Sequence, residues 1–327
     1  MIRVGINGVG RIGKAILRAN LEKQLFRVVA VNDINPDPAN IAYQINYDTL
    51  YGQIDDPFVA QGSVLRNKKE TMRVFNSPHI DEAPWGECGV DVVVDATGIH
   101  DNVLRASSAI ARQGVKKVVI THSPEQVDYT MILGVNESGY KPDVHHVIAA
   151  SICDAVAMAP GLHLLQQRWG VARGYITTLH PWLNYQNLSD GPASSWSKPG
   201  EIYHHYALGR AACGNMIPKP TTAVEATCKV VRGLSTKQIG SFSYRTPVAI
   251  VGSADITLEM SAKLTTDQVR RVFSDAEKAQ TWDLIHNNDE PLVSLDFKKA
   301  PFSAIVDHRW TDVIAGNLLK LVLWYDN

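Results

Sequence analysis

The chain has 327 residues, a length that two domains accommodate more naturally than one. Hydrophobic residues make up 45% of it, and 32 Lys and Arg nearly balance 33 Asp and Glu. The formal net charge of −1 gives no field that would attract nucleic acid or an anionic membrane surface, so neither is expected as a partner. The four cysteines form no CxxC pair, so the sequence predicts no metal site and no disulfide framework, and it favours a reducing cytoplasm.

The first half of the chain alternates predicted strands and helices. It opens on a strand, so no signal peptide is expected, and no apolar run is long enough to span a bilayer. Apolar runs predict strands at residues 2–7, 26–31, 90–98 and 115–121, with helices after residue 10 and at 102–112. In the first helix, four apolar residues have the spacing of one buried face: Ile12, Ala15, Ile16 and Ala19. This alternation is typical of a parallel sheet covered on both faces.

The first strand ends in a glycine pattern, Gly8-x-Gly10-x-x-Gly13, and an acid, Asp33, follows twenty residues later. The pattern is weak alone, but here a strand precedes it and a helix follows it. Gly8 permits a tight turn, Gly10 lets the backbone approach a pyrophosphate, and Gly13 lets helix and strand pack closely. Asp33 would accept hydrogen bonds from a ribose and repel a 2′-phosphate, which favours NAD over NADP. The alternative is a structural turn with an acid on the surface.

The second half has a different pattern. Runs rich in β-branched residues, several alternating polar with apolar, predict strands at residues 174–179, 242–251, 254–263, 292–297 and 303–307. Helices are predicted at 161–168, after Pro160, and at 266–279, where residues 265–268 form an N-cap region. The predicted fold class is therefore α/β. A Rossmann-type parallel-sheet domain that binds NAD would occupy residues 1–150, and an α+β catalytic domain with a mostly antiparallel sheet residues 151–327.

Seven short segments, in this order and spacing, resemble the glyceraldehyde-3-phosphate dehydrogenase family of phosphorylating aldehyde dehydrogenases. They are GINGVGRIG at 5–13, VND at 31–33, YDT at 47–49, PWG at 84–86, ATG at 96–98, ILGVN at 132–136 and WYDN at 324–327. Each is short, but together they are specific and run from one end of the chain to the other. The chain is also similar to erythrose-4-phosphate dehydrogenase, a member of the same family.

The resemblance implies a covalent mechanism. Cys153 would be the nucleophile and His180, 27 residues later, its base, forming a thiolate–imidazolium pair. The thiolate would add to a small-molecule aldehyde, the adduct would be oxidised with NAD, and phosphate or water would release the acyl group. The resemblance also implies a homotetramer. It assigns cofactor binding to Asn7, Gly8, Gly10, Arg11, Ile12, Gly13, Asp33, Thr97, Thr121 and Asn327. The alternative for Cys153 is a small buried hydrophobe, which a lone cysteine more often is.

The residues beside Cys153 depart from the family's Ser-Cys-Thr-Thr-Asn. Here Ile152 precedes the cysteine and Asp154 follows it. A carboxylate that faced the acyl-acceptor site would repel phosphate and oppose thiolate formation at Cys153. Alternatively, Asp154 points away and caps the following helix, as Asp does well. Both interpretations stay open at this point.

The family's substrate-binding residues are kept only in part. Leu183 stands where the family has a Thr three residues after the histidine, whereas Arg245, Arg210 and Thr221 match its phosphate-binding residues. Either arginine could instead form a surface salt bridge. The 30 positions from His180 to Arg210 exceed the family's loop by about ten. The extra residues, 191–200, lie near Trp182, Tyr185 and Trp196, and would either reshape the pocket for a larger substrate or form a solvated insertion.

The favoured function is NAD-dependent oxidation of an aldehyde, a sugar phosphate or related polyol aldehyde, through a thioester on Cys153. The substrate-binding residues would be Asp154, Arg210, Thr221 and Arg245. Because Asp154 disfavours phosphate, water is predicted to release the acyl group as an acid. Two alternatives remain: an ordinary phosphorylating glyceraldehyde-3-phosphate dehydrogenase, and a degenerate NAD-binding regulatory or scaffold protein.

Overall fold

The computed structural model of the protein describes residues 1–195 and 205–327, in two compact units. Unit 1 comprises Met1–Thr130 and Tyr140–Ala150, and unit 2 comprises Met131–Gly139, Ser151–Ser195 and the described residues from 205 onward. Trp196 and the second half of the inserted loop predicted at 191–200 lie outside the described residues. Within the described ranges, no helix has both the length and the apolar character needed to cross a membrane.

Unit 1 contains a sheet with strand order β10-β11-β9-β8-β1-β2-β7-β6-β5, and β3 and β4 pair separately. Its strands are β1 (Arg3–Asn7), β2 (Arg27–Asn32), β3 (Tyr47–Asp48), β4 (Gly52–Gln53), β5 (Val59–Gln61), β6 (Val64–Arg66), β7 (Thr71–Phe75), β8 (Val92–Asp95), β9 (Lys117–Ile120), β10 (Tyr129–Thr130) and β11 (Val147–Ala149). Its helices are α1 (Arg11–Lys23), α2 (Pro38–Asn46) and α3 (His100–Gln113). The pairings from β10 across to β7 are parallel, which confirms the predicted sheet, and β5–β6 and β6–β7 are antiparallel.

The buried face of α1 differs from the predicted one. Its buried residues are Gly13, Leu17 and Asn20. Of the predicted face, Ile12, Ala15 and Ala19 are exposed and Ile16 is half-buried. A Cβ built at Gly13 would lie 2.0 Å from the carbonyl oxygen of Gly8, so this side of the helix lies directly against the glycine loop. That contact sets the rotation of α1 about its axis, and apolar spacing gave no information about it.

Unit 2 contains a second sheet, with strand order β13-β14-β12-β15-β19-β17-β16 and with β18 paired to β19. Its strands are β12 (Val171–Pro181), β13 (Ile217–Lys219), β14 (Ile239–Thr246), β15 (Gly252–Met260), β16 (Ile285–Asn288), β17 (Ala304–Asp307), β18 (Asp312–Ile314) and β19 (Leu318–Tyr325). Its helices are α4 (Cys153–Trp169), α5 (Ala223–Val230) and α6 (Thr266–Ala279). The pairings are antiparallel except β12–β14 and β16–β17, which confirms the predicted mostly antiparallel sheet.

Helix α4 begins earlier than predicted. It starts at Cys153 and carries Pro160 in its interior, although the sequence predicted a helix only after that proline. Pro160 has no N–H to donate to the carbonyl group four residues before it. The residues on either side, including Ala159 and Leu162, are buried in the main core of unit 2. This packing stabilises the helix through the proline, since tertiary burial contributes more to helix stability than local propensity does.

The strand predicted at residues 292–297 is wrong. The structure has a 3-10 helix there, at Ser294–Phe297. The carboxylate of Asp296 accepts a hydrogen bond from the N–H of Val293 at 2.8 Å, which closes the turn locally. The side chains of Val293 and Leu295 are 64% and 58% exposed. The apolar residues therefore do not share a buried face, and nothing holds the segment in a sheet.

Candidate active site

Cys153 and His180 are in contact in unit 2. Cys153 is the first residue of α4, and His180 is the penultimate residue of β12. The Sγ atom of Cys153 lies 3.2 Å from Nε2 of His180. Nδ1 of His180 lies 2.8 Å from the carbonyl oxygen of Pro181, which can only accept a hydrogen bond. Nδ1 therefore carries the ring proton, and Nε2 presents its lone pair to the thiol.

The surroundings favour an uncharged pair. Burial, and then the negative charge of Asp154, raise the pKa of Cys153 well above its ordinary value. Burial, and then the positive charge of Arg245, lower the pKa of His180 to about 4. Both shifts favour a neutral thiol beside a neutral imidazole, because burial disfavours the charged form of each group. These shifts therefore favour a neutral resting pair over the thiolate–imidazolium pair expected from the sequence.

Asp154 faces the thiol and does not cap the helix. The N-cap residue of α4 is Ile152, and no side chain caps the helix end. The Asp154 side chain is 5% exposed, and its Oδ1 lies 3.7 Å from Sγ of Cys153. The hydroxyl of Tyr325, at the end of β19, donates a hydrogen bond to the same oxygen. The capping interpretation of Asp154 is wrong, and a buried carboxylate lies beside the thiol.

The strand register places two cations on the sheet face that carries His180. His180 pairs with Arg245 across β12 and β14, and Lys219 of β13 pairs with Ser243, two residues before Arg245. Residues paired across neighbouring strands point to the same side of a sheet, as do residues two apart along one strand. Ile176, which lies on that side, belongs to the core cluster that contains α4 residues. His180, Arg245 and Lys219 therefore point to the side that α4 covers.

Arg245 is buried, with 6% of its surface exposed. Its Nη2 lies 3.4 Å from the hydroxyl of Tyr185, and its Nε has no hydrogen-bond partner among the described residues. Lys219 was not predicted from the sequence, because a lysine two residues after Ile217 has no distinctive pattern around it. Its side chain is half-buried, and burial together with the charge of Arg245 lowers its pKa to about 8. Within residues 1–195 and 205–327, neither cation forms an ion pair.

The other predicted substrate-binding residues are placed differently. Arg210 forms an ion pair with Asp190, with 2.8 Å between its Nε and Oδ2, and its side chain is 63% exposed. Thr221 accepts a hydrogen bond from the N–H of Ala223 at 3.2 Å, just before α5. Leu183 is half-buried, and its N–H bonds to a glutamine side chain three residues on. The structure thus brings Asp154 and Arg245 together with Cys153, whereas Arg210 lies in a surface ion pair.

The glycine loop of unit 1 has the geometry of a phosphate cradle. Gly8 has φ of +88°, which favours glycine, and a Cβ at Gly10 would meet no atom within 4 Å. No side chain caps the N-terminus of α1, and no acid lies in its first turn. The helix end, beginning at Arg11 and Ile12, therefore offers backbone N–H groups and partial positive charge to an anion. The carboxylate of Asp33 accepts a 2.7 Å hydrogen bond from the N–H of Val9, which holds it beside this loop.

Three further predicted cofactor residues surround a buried acid, Asp95. Asn7 Nδ2 and Thr97 Oγ1 donate to Asp95 Oδ1 at 2.8 and 2.9 Å, and Thr121 Oγ1 donates to the Asp95 carbonyl at 3.1 Å. Burial raises the pKa of Asp95 to about 6. In unit 2, the Oδ1 atom of Asn327 is buried and has no hydrogen-bond partner among the described residues, so it can accept one from a ligand.

Comparisons with known proteins agree with this geometry. The model of the glyceraldehyde 3-phosphate dehydrogenase NAD binding domain matches residues 2–103, and that of its C-terminal domain matches residues 152–327. Glyceraldehyde-3-phosphate dehydrogenase 2 of Streptomyces avermitilis is 35% identical over 327 residues, covering 100% of this chain and 94% of that protein. The glyceraldehyde-3-phosphate dehydrogenase of Geobacillus stearothermophilus is 32% identical, covering 100% and 93%. Glyceraldehyde-3-phosphate dehydrogenase 1 of Bacillus cereus is 33% identical, covering 100% and 94%.

This chain belongs to the glyceraldehyde-3-phosphate dehydrogenase family. It is an NAD-dependent aldehyde dehydrogenase of that family, and NAD is its cofactor. The glycine loop, the uncapped helix end and Asp33 fit the pyrophosphate and ribose of that cofactor. The charged groups near Cys153 include the acid Asp154 and the cations Arg245 and Lys219.

Proposed function

We propose that this dehydrogenase oxidises a sugar phosphate or related polyol aldehyde through a thioester on Cys153, and that water releases the acyl group. The observation that carries the proposal is the buried Asp154 carboxylate, 3.7 Å from Sγ of Cys153. The negative charge of this carboxylate would repel a phosphate dianion that approached the acyl carbon, but it would not repel a neutral water molecule. The product would then be a carboxylic acid instead of an acyl phosphate.

In the acylation step, Cys153 and His180 act as an uncharged pair. As Sγ adds to the aldehyde carbon, Nε2 of His180 accepts the thiol proton across the 3.2 Å contact. The Nδ1–H of His180 stays bonded to the Pro181 carbonyl, which keeps the ring oriented. NAD, when bound, supplies the hydride acceptor. The same proposal assigns NAD binding to Asn7, Gly8, Gly10, Arg11, Ile12, Gly13, Asp33, Thr97, Thr121 and Asn327.

In the release step, water adds to the thioester carbonyl and the thiol of Cys153 leaves. One water is consumed, the acid is formed, and the sulfur regains a proton. Arg245 is proposed to bind the substrate's anionic group. Arg210, which would first have to leave its surface ion pair with Asp190, and Thr221 stay proposed substrate-binding residues. Residues 1–150 would bind the cofactor and residues 151–327 the substrate. A homotetramer is proposed from the family resemblance, and light scattering of the purified protein tests the oligomeric state. A cytoplasmic location is proposed from the cysteine pattern.

The test is NADH formation with a panel of aldehydes, with and without inorganic phosphate, followed by identification of the product. NADH formation without phosphate, with the free acid as product, supports the proposal. A strict requirement for phosphate contradicts it. Asp154→Thr, which restores the family's hydroxyl, should increase the dependence of the rate on phosphate. Asp267→Asn is a matched control, because Asp267 also lies in the first turn of a helix but is exposed.

Ordinary phosphorylating glyceraldehyde-3-phosphate dehydrogenase is the second candidate. Arg245 and Lys219 favour it, because two cations that form no ion pair with any described residue attract a phosphate. It is also favoured by the similar proteins reported above, which are named glyceraldehyde-3-phosphate dehydrogenases. Formation of an acyl phosphate in the aldehyde assay would support this candidate over the hydrolytic one. A scaffold without activity is disfavoured by the contact of Cys153 with His180, which a binding module does not need.

A further inference from the structure

Lys219 and Arg245 form a cationic pair that the described acids of unit 2 neutralise only in part. Both point to the sheet face covered by α4, on neighbouring strands. Arg245 is 6% exposed, and its Nε has no hydrogen-bond partner among the described residues. Two like charges held together away from water raise the energy of the folded protein. A fold that keeps them is built to receive an anion.

The groups that face Lys219 come from three elements. Arg245 lies on β14, Asp154 and Cys153 on α4, and His180 on β12. Cys153 and His180 are both favoured in their neutral forms. Asp154 is the one acid among these four groups, so it offsets one of the two cations and leaves one positive charge in excess. The same balance opposes a metal ion, although the donor atoms of Cys153, Asp154 and His180 lie within 4.8 Å of one another.

We propose that Lys219 is a specificity-determining residue, which binds the phosphate of the aldehyde substrate together with Arg245. This inference rests on the proposed oxidation of a phosphorylated aldehyde. Arg245 provides a planar group that can bond two oxygens, and Lys219 provides a point charge with rotatable donors. The family resemblance assigns no role to position 219. The expected result is selection of a phosphorylated aldehyde over the uncharged aldehyde of the same chain length.

The charge of Lys219 should make this selection depend on pH. Its pKa is lowered to about 8, so the free enzyme loses this positive charge as the pH rises through that value. Arg245 stays charged in this range. His180, with a pKa of about 4, is already neutral, and the pKa of Cys153 is raised well above its ordinary value. Loss of affinity for an anion near pH 8 would therefore report on Lys219.

The direct test is to measure ligand binding to the full chain by calorimetry. The probe is 3-phosphoglycerate, and glycerate, which lacks the phosphate group, is the comparison ligand. Lys219→Met should weaken 3-phosphoglycerate binding about ten-fold or more and leave glycerate binding within about two-fold, since one charge-assisted contact is lost. Lys219→Arg should keep the affinity and remove the loss near pH 8, because arginine does not titrate there. Lys237→Met, at an exposed lysine, is the matched control.

The proposal is overturned if wild-type protein does not bind 3-phosphoglycerate, or if Lys219→Met leaves its binding unchanged. Equal weakening of both probes would mean a structural role and would also overturn it. Kinetics separate the two sources of phosphate: Lys219→Met should raise the KM for glyceraldehyde 3-phosphate but not for glyceraldehyde. A change only in the KM for inorganic phosphate would assign Lys219 to the acceptor and refute the proposal. If no aldehyde is oxidised, the proposed function fails, whereas calorimetry still decides the role of Lys219.

Discussion

Replacing Asp154 by Asn should make the thiol of Cys153 more reactive. The distance from Oδ1 to Sγ is 3.7 Å. At an effective dielectric constant of about 20, two full charges at that distance repel by about 4 kcal/mol. Arg245 and Lys219 offset part of this repulsion. If about half remains, the thiolate fraction of the variant rises roughly 30-fold at a pH below the pKa, since about 1.4 kcal/mol corresponds to ten-fold. Asn still accepts the hydrogen bond from Tyr325, so the local packing is preserved.

The assay is the rate of alkylation by iodoacetamide as a function of pH, with modified peptides identified by mass spectrometry. Peptide mapping is needed because Cys213 is exposed and will react as an ordinary thiol. The rate at Cys153 should rise in Asp154→Asn, and the rate at Cys213 should not. Asp267→Asn should behave as the wild type, since that acid is exposed and in another helix. An unchanged rate at Cys153 across the pH range would refute the electrostatic argument.

Three further predictions concern the base, the cofactor and the stability. His180→Asn removes the proton acceptor and should lower kcat by about 10²- to 10⁴-fold, measured as NADH formation; a smaller loss than ten-fold would exclude His180 as the base. Asp33→Ser removes the charge beside the ribose site and should shift the ratio of kcat/KM for NAD and NADP toward NADP by about ten-fold or more; an unchanged ratio would contradict the role of Asp33. Asp95 has a pKa raised from 3.8 to about 6, so the folded state holds its proton more tightly than the unfolded state does. The free energy of unfolding should therefore fall by up to about 3 kcal/mol as the pH rises through this window, and Asp95→Asn should lack that loss. Urea unfolding of both proteins at about pH 4 and about pH 7 measures this loss of stability. An equal loss in the wild type and in Asp95→Asn would refute the prediction.

Elements with strong local signals were predictable from the sequence. Helix α6 has the predicted bounds, because Thr265 and Gln268 exchange side-chain and backbone hydrogen bonds at its start. The signal is contained within four residues, so no tertiary contact is needed to read it. The strand predicted at 292–297 failed for the opposite reason, since a β-branched run forms a strand only where a neighbouring strand and a buried face exist.

The start of α4 and strand β19 show the limit of such signals. Pro160 indicates a helix end locally, but the buried side chains around it continue the helix. The run at Leu318–Tyr325 buries every second residue, but Lys320 is the one charged residue in it, so the sequence shows no alternation and no strand was predicted there. Both cases depend on where unit 2 places its core.

Some residues of the candidate site could be predicted from the sequence and others could not. The contact of Cys153 with His180 followed from the family resemblance, because the two residues keep the family's spacing. Whether Asp154 faces the thiol depends on the hydrogen bond from Tyr325, 171 residues away. Lys219 was missed because its position beside Arg245 is set by the register of β13 on β14. Long-range register of this kind leaves no local pattern in a sequence.

The acyl thioester on Cys153 is the intermediate on which the proposed function depends. It is tested most directly by mixing the protein with NAD and an aldehyde substrate, quenching in acid within one turnover, and measuring the mass of each cysteine-containing peptide. We expect an acyl group on the peptide of Cys153, formed together with NADH and absent in Cys153→Ser. NADH formation with no acyl group on that peptide, or with one on a different cysteine, would contradict it.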